Sequence, residues 1–192
     1  MKVTVQQLYT PGVQPFDPLV DLLDEARAGD QGTARTRERW LLRLAEEEAT
    51  LAGTLLDLAE RGSGVAVRSR FGRVSHGAVV AVGTDFVVLR AEDRRDVCIR
   101  LSAISSVRPA AGERHVSATG DRPAPLDLLL VEVLSGLAPD RPRVALVAAG
   151  ELVAGELRAV GADVVTLRLD GDRRALCYLS AAAVDEAVIE RG

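Results

Sequence analysis

The chain has a single lysine and few aromatic residues. Among its 192 residues lysine occurs only at Lys2, and Phe, Trp and Tyr together make up 3%. So few aromatic rings disfavour a ligand site built on base stacking or on an aromatic cage. Arginine therefore carries almost all of the positive charge. A preference of this kind is typical of a GC-rich bacterial genome, and we assign no function to it.

Long apolar runs and metal-binding patterns are also absent from the sequence. No segment approaches the ~18 consecutive apolar residues of a membrane span, and the start, MKVTVQQLYTPG, lacks the apolar core of a signal peptide. Cys98, Cys177, His76 and His115 are the only cysteines and histidines, and they lack metal-ligand spacing. We expect a cytoplasmic protein with two reduced cysteines, no metal site and no cofactor.

Catalytic patterns are equally scarce. No nucleophile elbow surrounds Ser75, and Asp93 and Asp96 belong to a turn that we expect to be exposed, which disfavours general acid–base chemistry. The glycines of GRVSHG are followed by no lysine, unlike those of a phosphate-binding loop. We therefore expect no enzyme activity and no small-molecule substrate.

The charge is distributed unevenly along the chain. The net charge is −4, yet residues 64–109 contain eight arginines against four acidic residues. Residues 1–63 are acidic, with the run Glu46, Glu47 and Glu48 on one predicted helix. A local basic surface on an acidic protein is compatible with nucleic-acid binding. It is equally compatible with charge pairing inside the molecule or between subunits.

The patterning divides the chain into four parts. Residues 1–35 are irregular with one short predicted helix, and 36–109 comprise a long predicted helix followed by five short Val-rich strands. A polar linker, 110–124, precedes a further predicted helix and five more strands in 125–192.

The two strand series are copies of one another. At an offset of 78 residues, 12 of the 31 positions in 72–102 are identical to those in 150–180, without a gap. Before Gly72 the offset is 79. The repeated unit is therefore a helix plus five strands, which indicates an internal duplication.

Glycine and aspartate recur at the same places of both copies, and strong bending of short strands requires glycine inside them. The expected turn and corner residues are Gly72, Gly77, Gly83 and Asp85 in the first copy, and Gly150, Gly155, Gly161 and Asp163 in the second. Of these, Gly83 and Gly161 are expected to adopt positive φ in the turns VGTD and VGAD.

The stretch GRVSHGAVVAVGTDFVVL resembles the first motif of Sm-like proteins, the superfamily of Sm, LSm and Hfq; other SH3-like barrels share the pattern. The resemblance implies an α+β fold of two tandem five-stranded, strongly bent β-barrels, each preceded by a helix, plus a short N-terminal helix. It also implies a function in RNA binding or in ribonucleoproteins, and pairing of edge strands between barrels. DFVVL and DVVTL lack the Asn that such proteins carry after the Asp, so no uridine pocket is transferred.

Two functions remain open at this point. The first is non-catalytic RNA binding by a basic surface of the first copy, formed by Arg68, Arg70, Arg73, His76, Arg94 and Arg95. The alternative is a protein-interaction adaptor or an oligomeric scaffold without a nucleic-acid ligand, which associates with itself through edge strands. No membrane partner is expected in either case.

Overall fold

The computed structural model describes residues 36–44, 46–112, 126–171 and 174–190. The chain divides into two compact units, Met1–Arg43 and Leu44–Gly192. The described part of the first unit is helical, and the described strands all belong to the second. The short helix predicted within 1–35, most of the predicted linker and His115 lie outside the described residues.

The single long helix predicted before the first strand is instead two helices. Residues 36–44 and 46–47 are helical and form α1, and Leu51–Glu60 form α2. Thr50 separates them: its backbone is extended, and its Oγ accepts a hydrogen bond from the Gly53 amide at 3.0 Å. A threonine N-cap satisfies an amide that has no partner in the first helical turn, so a new helix begins where apolar spacing indicated continuity. Among the described helices, none is long and apolar enough to cross a membrane.

The strands lie within the two predicted series, and the later predicted helix is present but shorter, because residues 126–129 are not helical. The third helix, α3, is Leu130–Leu137. The first copy comprises Gly64–Ser69 (β1), Val74–Val82 (β2), Phe86–Arg90 (β3), Arg95–Arg100 (β4) and Ile104–Pro109 (β5). The second comprises Arg143–Ala148 (β6), Glu151–Val160 (β7), Val164–Leu169 (β8), Leu176–Ser180 (β9) and Val184–Glu190 (β10).

The described strands form one antiparallel sheet of 10 strands, in the order β5-β1-β2-β3-β4-β10-β6-β7-β8-β9. The prediction of two separate, closed five-stranded barrels is therefore wrong. Within each copy, the fourth and fifth strands are not paired with each other; β4 of the first copy pairs instead with β10 of the second. Because an unpaired edge exposes a row of backbone donors and acceptors, joining two edges satisfies both and makes the sheet continuous.

Gly77 and Gly155 have the close-approach role that bending predicts. A Cβ at Gly77 would lie 2.6 Å from the carbonyl oxygen of Arg90, and one at Gly155 would contact the carbonyl of Arg168. Gly72 and Gly150 adopt positive φ, +81° and +88°. The prediction of positive φ at Gly83 and Gly161, in the turns VGTD and VGAD, is wrong. At Gly83, glycine is required for space, because a Cβ would overlap the ring of Phe86.

The described residues form two hydrophobic cores along the sheet. The first is formed by α2 and strands β1–β4, with Leu55, Val67 and Leu89 at its centre. The second is formed by α3, β6–β8 and β10, and it also contains Phe86 and Cys98 from the first copy. The second core is thus completed by side chains of the first copy.

The strand registers correct the alignment of the two copies. Val67 on β1 pairs with Val107 on β5, and Leu146 on β6 pairs with Ala187 on β10. Because Val67 and Leu146 are aligned at the offset of 79, their partners Val107 and Ala187 are equivalent, at an offset of 80. From the fourth strand onward the offset is 80, because β8 and β9 are joined by a turn two residues longer than that between β3 and β4. Leu101 and Ser102 are therefore not structurally equivalent to the identical residues 78 positions later. For Arg95, the identical residue at position 173 lies outside the described residues.

Candidate functional site

The arginines at the first hairpin face acidic residues of the second copy. Arg70 Nη2 lies 2.5 Å from Asp185 Oδ1, and Arg73 Nη2 lies 3.5 Å from Glu186 Oε1. Asp185 is only 1% exposed and Glu186 is also buried, whereas the side chain of Arg70 is 49% exposed. Two of the residues predicted to bind RNA therefore neutralise carboxylates at the β4–β10 junction, the line along which the two copies meet.

A second polar network, formed by Arg100 and Asp85, also connects the two copies. Arg100 forms an ion pair with Asp85 and donates hydrogen bonds to the carbonyls of Val184 (2.9 Å) and Ala181 (3.1 Å). Asp85 also accepts a hydrogen bond from the Leu130 amide at 2.7 Å, at the first residue of α3. A carboxylate at a helix N-terminus satisfies a free amide and complements the helix dipole. Asp85, predicted as a turn residue, thus connects the first copy to the helix of the second.

An open cavity of about 1180 Å³ is lined mainly by the first copy, together with Glu186 and Val188 of the second. It brings together three of the predicted residues, Arg73, His76 and Arg95, with two that were not predicted, Arg90 and Arg108. Acidic side chains share its wall, namely Glu92, Asp93 and Glu186. The cavity therefore has mixed charge rather than a uniformly positive lining.

Ion pairs reduce the charge that the cavity can offer a ligand. Arg95 pairs with Asp93, with 2.7 Å between Arg95 Nε and Asp93 Oδ2, and this guanidinium lowers the pKa of the Asp93 carboxyl. Arg90 lies 3.1 Å from Asp96, which raises the pKa of the arginine. Both pairs are exposed, where such interactions contribute little to stability and are weakened by salt.

The remaining predicted residues lie apart from the cavity lining. Arg68 is exposed and donates to the Gly72 carbonyl at 3.4 Å. Arg94 lies in the turn between β3 and β4 with φ +63°. The predicted basic surface is therefore divided between the junction, the cavity and the exposed turns.

The described residues contain no cluster of three or more His, Cys, Asp or Glu side chains suited to a metal ion. Both cysteines are unpaired. Burial raises the pKa of the Cys98 thiol to about 12, so it is an inert core residue rather than a nucleophile.

Sequence reasoning missed the acidic partners Asp185 and Glu186. They lie between apolar residues in the stretch AAAVDEAVIE, which the sequence identified as strand-forming. Two consecutive carboxylates within such a strand are the signal that could have found them, because buried acids require a positive partner.

Neither the models of known protein families nor the sequences of curated proteins match this chain.

Proposed function

We propose that the protein is a non-catalytic scaffold that associates with further copies of itself through the ends of its sheet. The supporting observation is the β4–β10 junction, which pairs the fourth strand of one copy with the fifth strand of the other. The same two strand types, β9 and β5, are the terminal strands of the described sheet. Pairing β9 of one chain with β5 of the next would repeat the internal junction between chains.

The polar residues favour this function over one based on the arginines. Arg70 and Arg73 donate hydrogen bonds to side-chain carboxylates of the second copy, and Arg100 donates to one of its backbone carbonyls. Their charge is thus used in building a junction between repeats. Two unpaired cysteines are compatible with the reducing cytoplasm, and we place the scaffold there.

Self-association is tested by measuring the molar mass of the purified chain against concentration by size-exclusion chromatography with light scattering. We expect the mass to rise above 20.4 kDa with concentration. A mass that stays monomeric up to the highest soluble concentration contradicts the scaffold function.

RNA binding is the second candidate, supported by the cavity that gathers Arg73, His76 and Arg95 with two further arginines. Phosphate contacts release counterions, so binding should weaken steeply as salt increases. A gel-shift assay with labelled single-stranded RNA should show this dependence, reduced by Arg95→Glu. Arg68→Glu is the matched control, because Arg68 is exposed but does not line the cavity. Absence of binding at low salt would exclude this candidate.

A further inference from the structure

Each terminal strand of the described sheet has an equivalent strand at the β4–β10 junction. There, β4 is the equivalent of β9 and β10 is the equivalent of β5, and these two strands are paired with each other. The registers make Tyr178 the equivalent of Cys98, since these residues pair with Thr166 and Val88 respectively. They also make Val107 the equivalent of Ala187. At the internal junction Cys98 and Ala187 lie opposite each other, so the equivalent contact between chains is Tyr178 opposite Val107.

Among the described residues, the first core is less covered than the second. Helices α2 and α3 both begin 13 residues before the first strand of their copy, which makes Leu51 the equivalent of Leu130. Leu51 is 40% exposed, whereas Leu130 is fully buried. Ile104 and Val107 on β5 are likewise only partly buried, while Val184 and Ala187 on β10 are buried. Within the described part of the chain, no side chains give the first core the cover that Phe86 and Cys98 of the first copy give to the second core.

The opposite end of the sheet, at β9, has large exposed apolar side chains of the kind that would cover the first core. Cys98 is 3% exposed within the second core, whereas its equivalent Tyr178 is 67% exposed. Leu176, two residues earlier on the same face of β9, is also exposed. Large exposed apolar side chains beside an unpaired strand indicate an interaction surface.

We infer that β9 of one chain completes the first core of a second copy of this chain, with Tyr178 opposite Val107 and Cys177 opposite Arg108. This inference rests on the proposed scaffold function and specifies the register of its interface. The apolar part of Tyr178 covers Ile104, Val107 and Leu51, while its hydroxyl group stays at the solvent boundary.

The direction of the backbone amides of β5 determines which of them can donate hydrogen bonds to a strand added at its free edge. The amide of Ala110 donates to Gly64 at 2.8 Å, so by alternation the Arg108 amide also faces β1 and that of Val107 faces outward. Pro109 has no amide to donate outward. The ladder between chains is therefore short, and the packing of Tyr178 provides much of the contact.

The register is tested with the native Cys177 and the variant Arg108→Cys. Arg108 occupies a non-hydrogen-bonded position on the free edge, where opposed Cα atoms are about 4.5 Å apart, a separation that a disulfide spans. Mild oxidation of Arg108→Cys should give covalent dimers and larger species on a non-reducing gel. The double variant with Cys177→Ser should give none at the interface, because Cys98 is buried with a pKa of about 12 and, in this register, the introduced thiols of neighbouring chains are separated by the width of a whole sheet.

The side-chain contact is tested with Tyr178→Lys. We expect the dissociation constant for self-association to rise roughly tenfold or more, as for a central interface residue. Leu152→Lys is the matched control, because Leu152 is also exposed but lies on β7, away from the sheet ends. It should leave association unchanged, and both variants should keep the melting temperature of the isolated chain.

The outcomes separate the inference from the proposed function. Self-association without cross-linking of Arg108→Cys, or with equal effects of the two lysine substitutions, overturns the register and leaves the scaffold function standing. A wild-type chain that remains monomeric overturns both.

Discussion

Arg70 and Arg73 extend from the first copy onto carboxylates of the second. Asp185, the partner of Arg70, is almost completely buried, and its Oδ2 atom has no hydrogen-bond partner. A buried carboxylate that loses its paired cation retains the full cost of desolvation. The contribution of Arg70 therefore lies mainly in preventing an uncompensated charge.

Arg70→Ala should lower the free energy of unfolding by about 2 kcal/mol, a magnitude reduced by the exposure of the guanidinium. Urea denaturation measures this change. Arg68→Ala is the control: its side chain is exposed, and we expect a change within about 0.5 kcal/mol. Adding Asp185→Ala to Arg70→Ala should recover part of the loss. Equal effects of the two arginine substitutions would contradict the assigned role.

At the residue scale, the sequence could locate the basic residues but not their partners. Arg70 and Arg73 were predicted to share one surface with Arg95, whereas the structure places only Arg73 and Arg95 at the cavity. The partners Asp185 and Glu186 lie more than a hundred residues away in the chain. Their proximity depends on which strands pair, and arginine spacing carries no information about that.

Within the strands, glycine permits the close approach that bends the sheet. Gly77 on β2 faces the backbone of Arg90 at the end of β3 without room for a methyl group. Gly136 in α3, by contrast, has open space around it. The same substitution should therefore have opposite effects at these two positions.

Gly77→Ala should destabilise the protein by about 1–3 kcal/mol, because the added methyl group must displace backbone rather than a flexible side chain. Gly136→Ala should stabilise it by about 0.5–1 kcal/mol through the higher helix propensity of alanine. Chemical denaturation of both variants gives the comparison. A neutral Gly77→Ala variant would show that the strands tolerate a wider separation there.

Asp85 and Asp163 occupy equivalent turns but differ in their contacts. Asp85→Ala should cost about 1–2 kcal/mol of unfolding free energy, because it removes the cap of α3 together with the partner of Arg100. Asp163 is exposed, and Asp163→Ala should remain within about 0.5 kcal/mol. Thermal unfolding followed by circular dichroism measures both, and comparable losses would contradict the capping role of Asp85.

The elements themselves could be predicted well from the sequence. Alternating valines and glycine-containing turns indicated the strands, and apolar spacing indicated α3. The division at Thr50 was missed because the helical pattern of leucines continues through it, and only the capping hydrogen bond to Gly53 marks the new start.

Over the whole molecule, the sheet passes through both copies without interruption. Phe86 and Cys98 of the first copy are buried in the second core, and Val188 of the second packs against the first. Neither core is complete when the copies are separated. The duplicated sequence predicted two units, because pairing between edge strands is made by backbone groups and leaves little mark on the side-chain pattern.

The residues of the sheet should therefore unfold in one cooperative transition rather than two. Calorimetric and van't Hoff enthalpies should agree, and far-ultraviolet circular dichroism should give the same midpoint as calorimetry. Phe86→Ala is expected to lower that single midpoint without splitting it, at a cost of about 3–5 kcal/mol. Two resolved transitions would show that the copies fold independently.

The order of the strands also has a consequence for symmetry. The sheet ends in β5 on one side and β9 on the other, and these two surfaces differ. A contact that joins β9 to β5 is heterologous, so each added chain presents the same two ends again. Such growth stops only if the rotation between neighbouring chains closes a circle, and otherwise it continues as a filament. The angle between the two halves at the β4–β10 junction is the internal measure of that rotation.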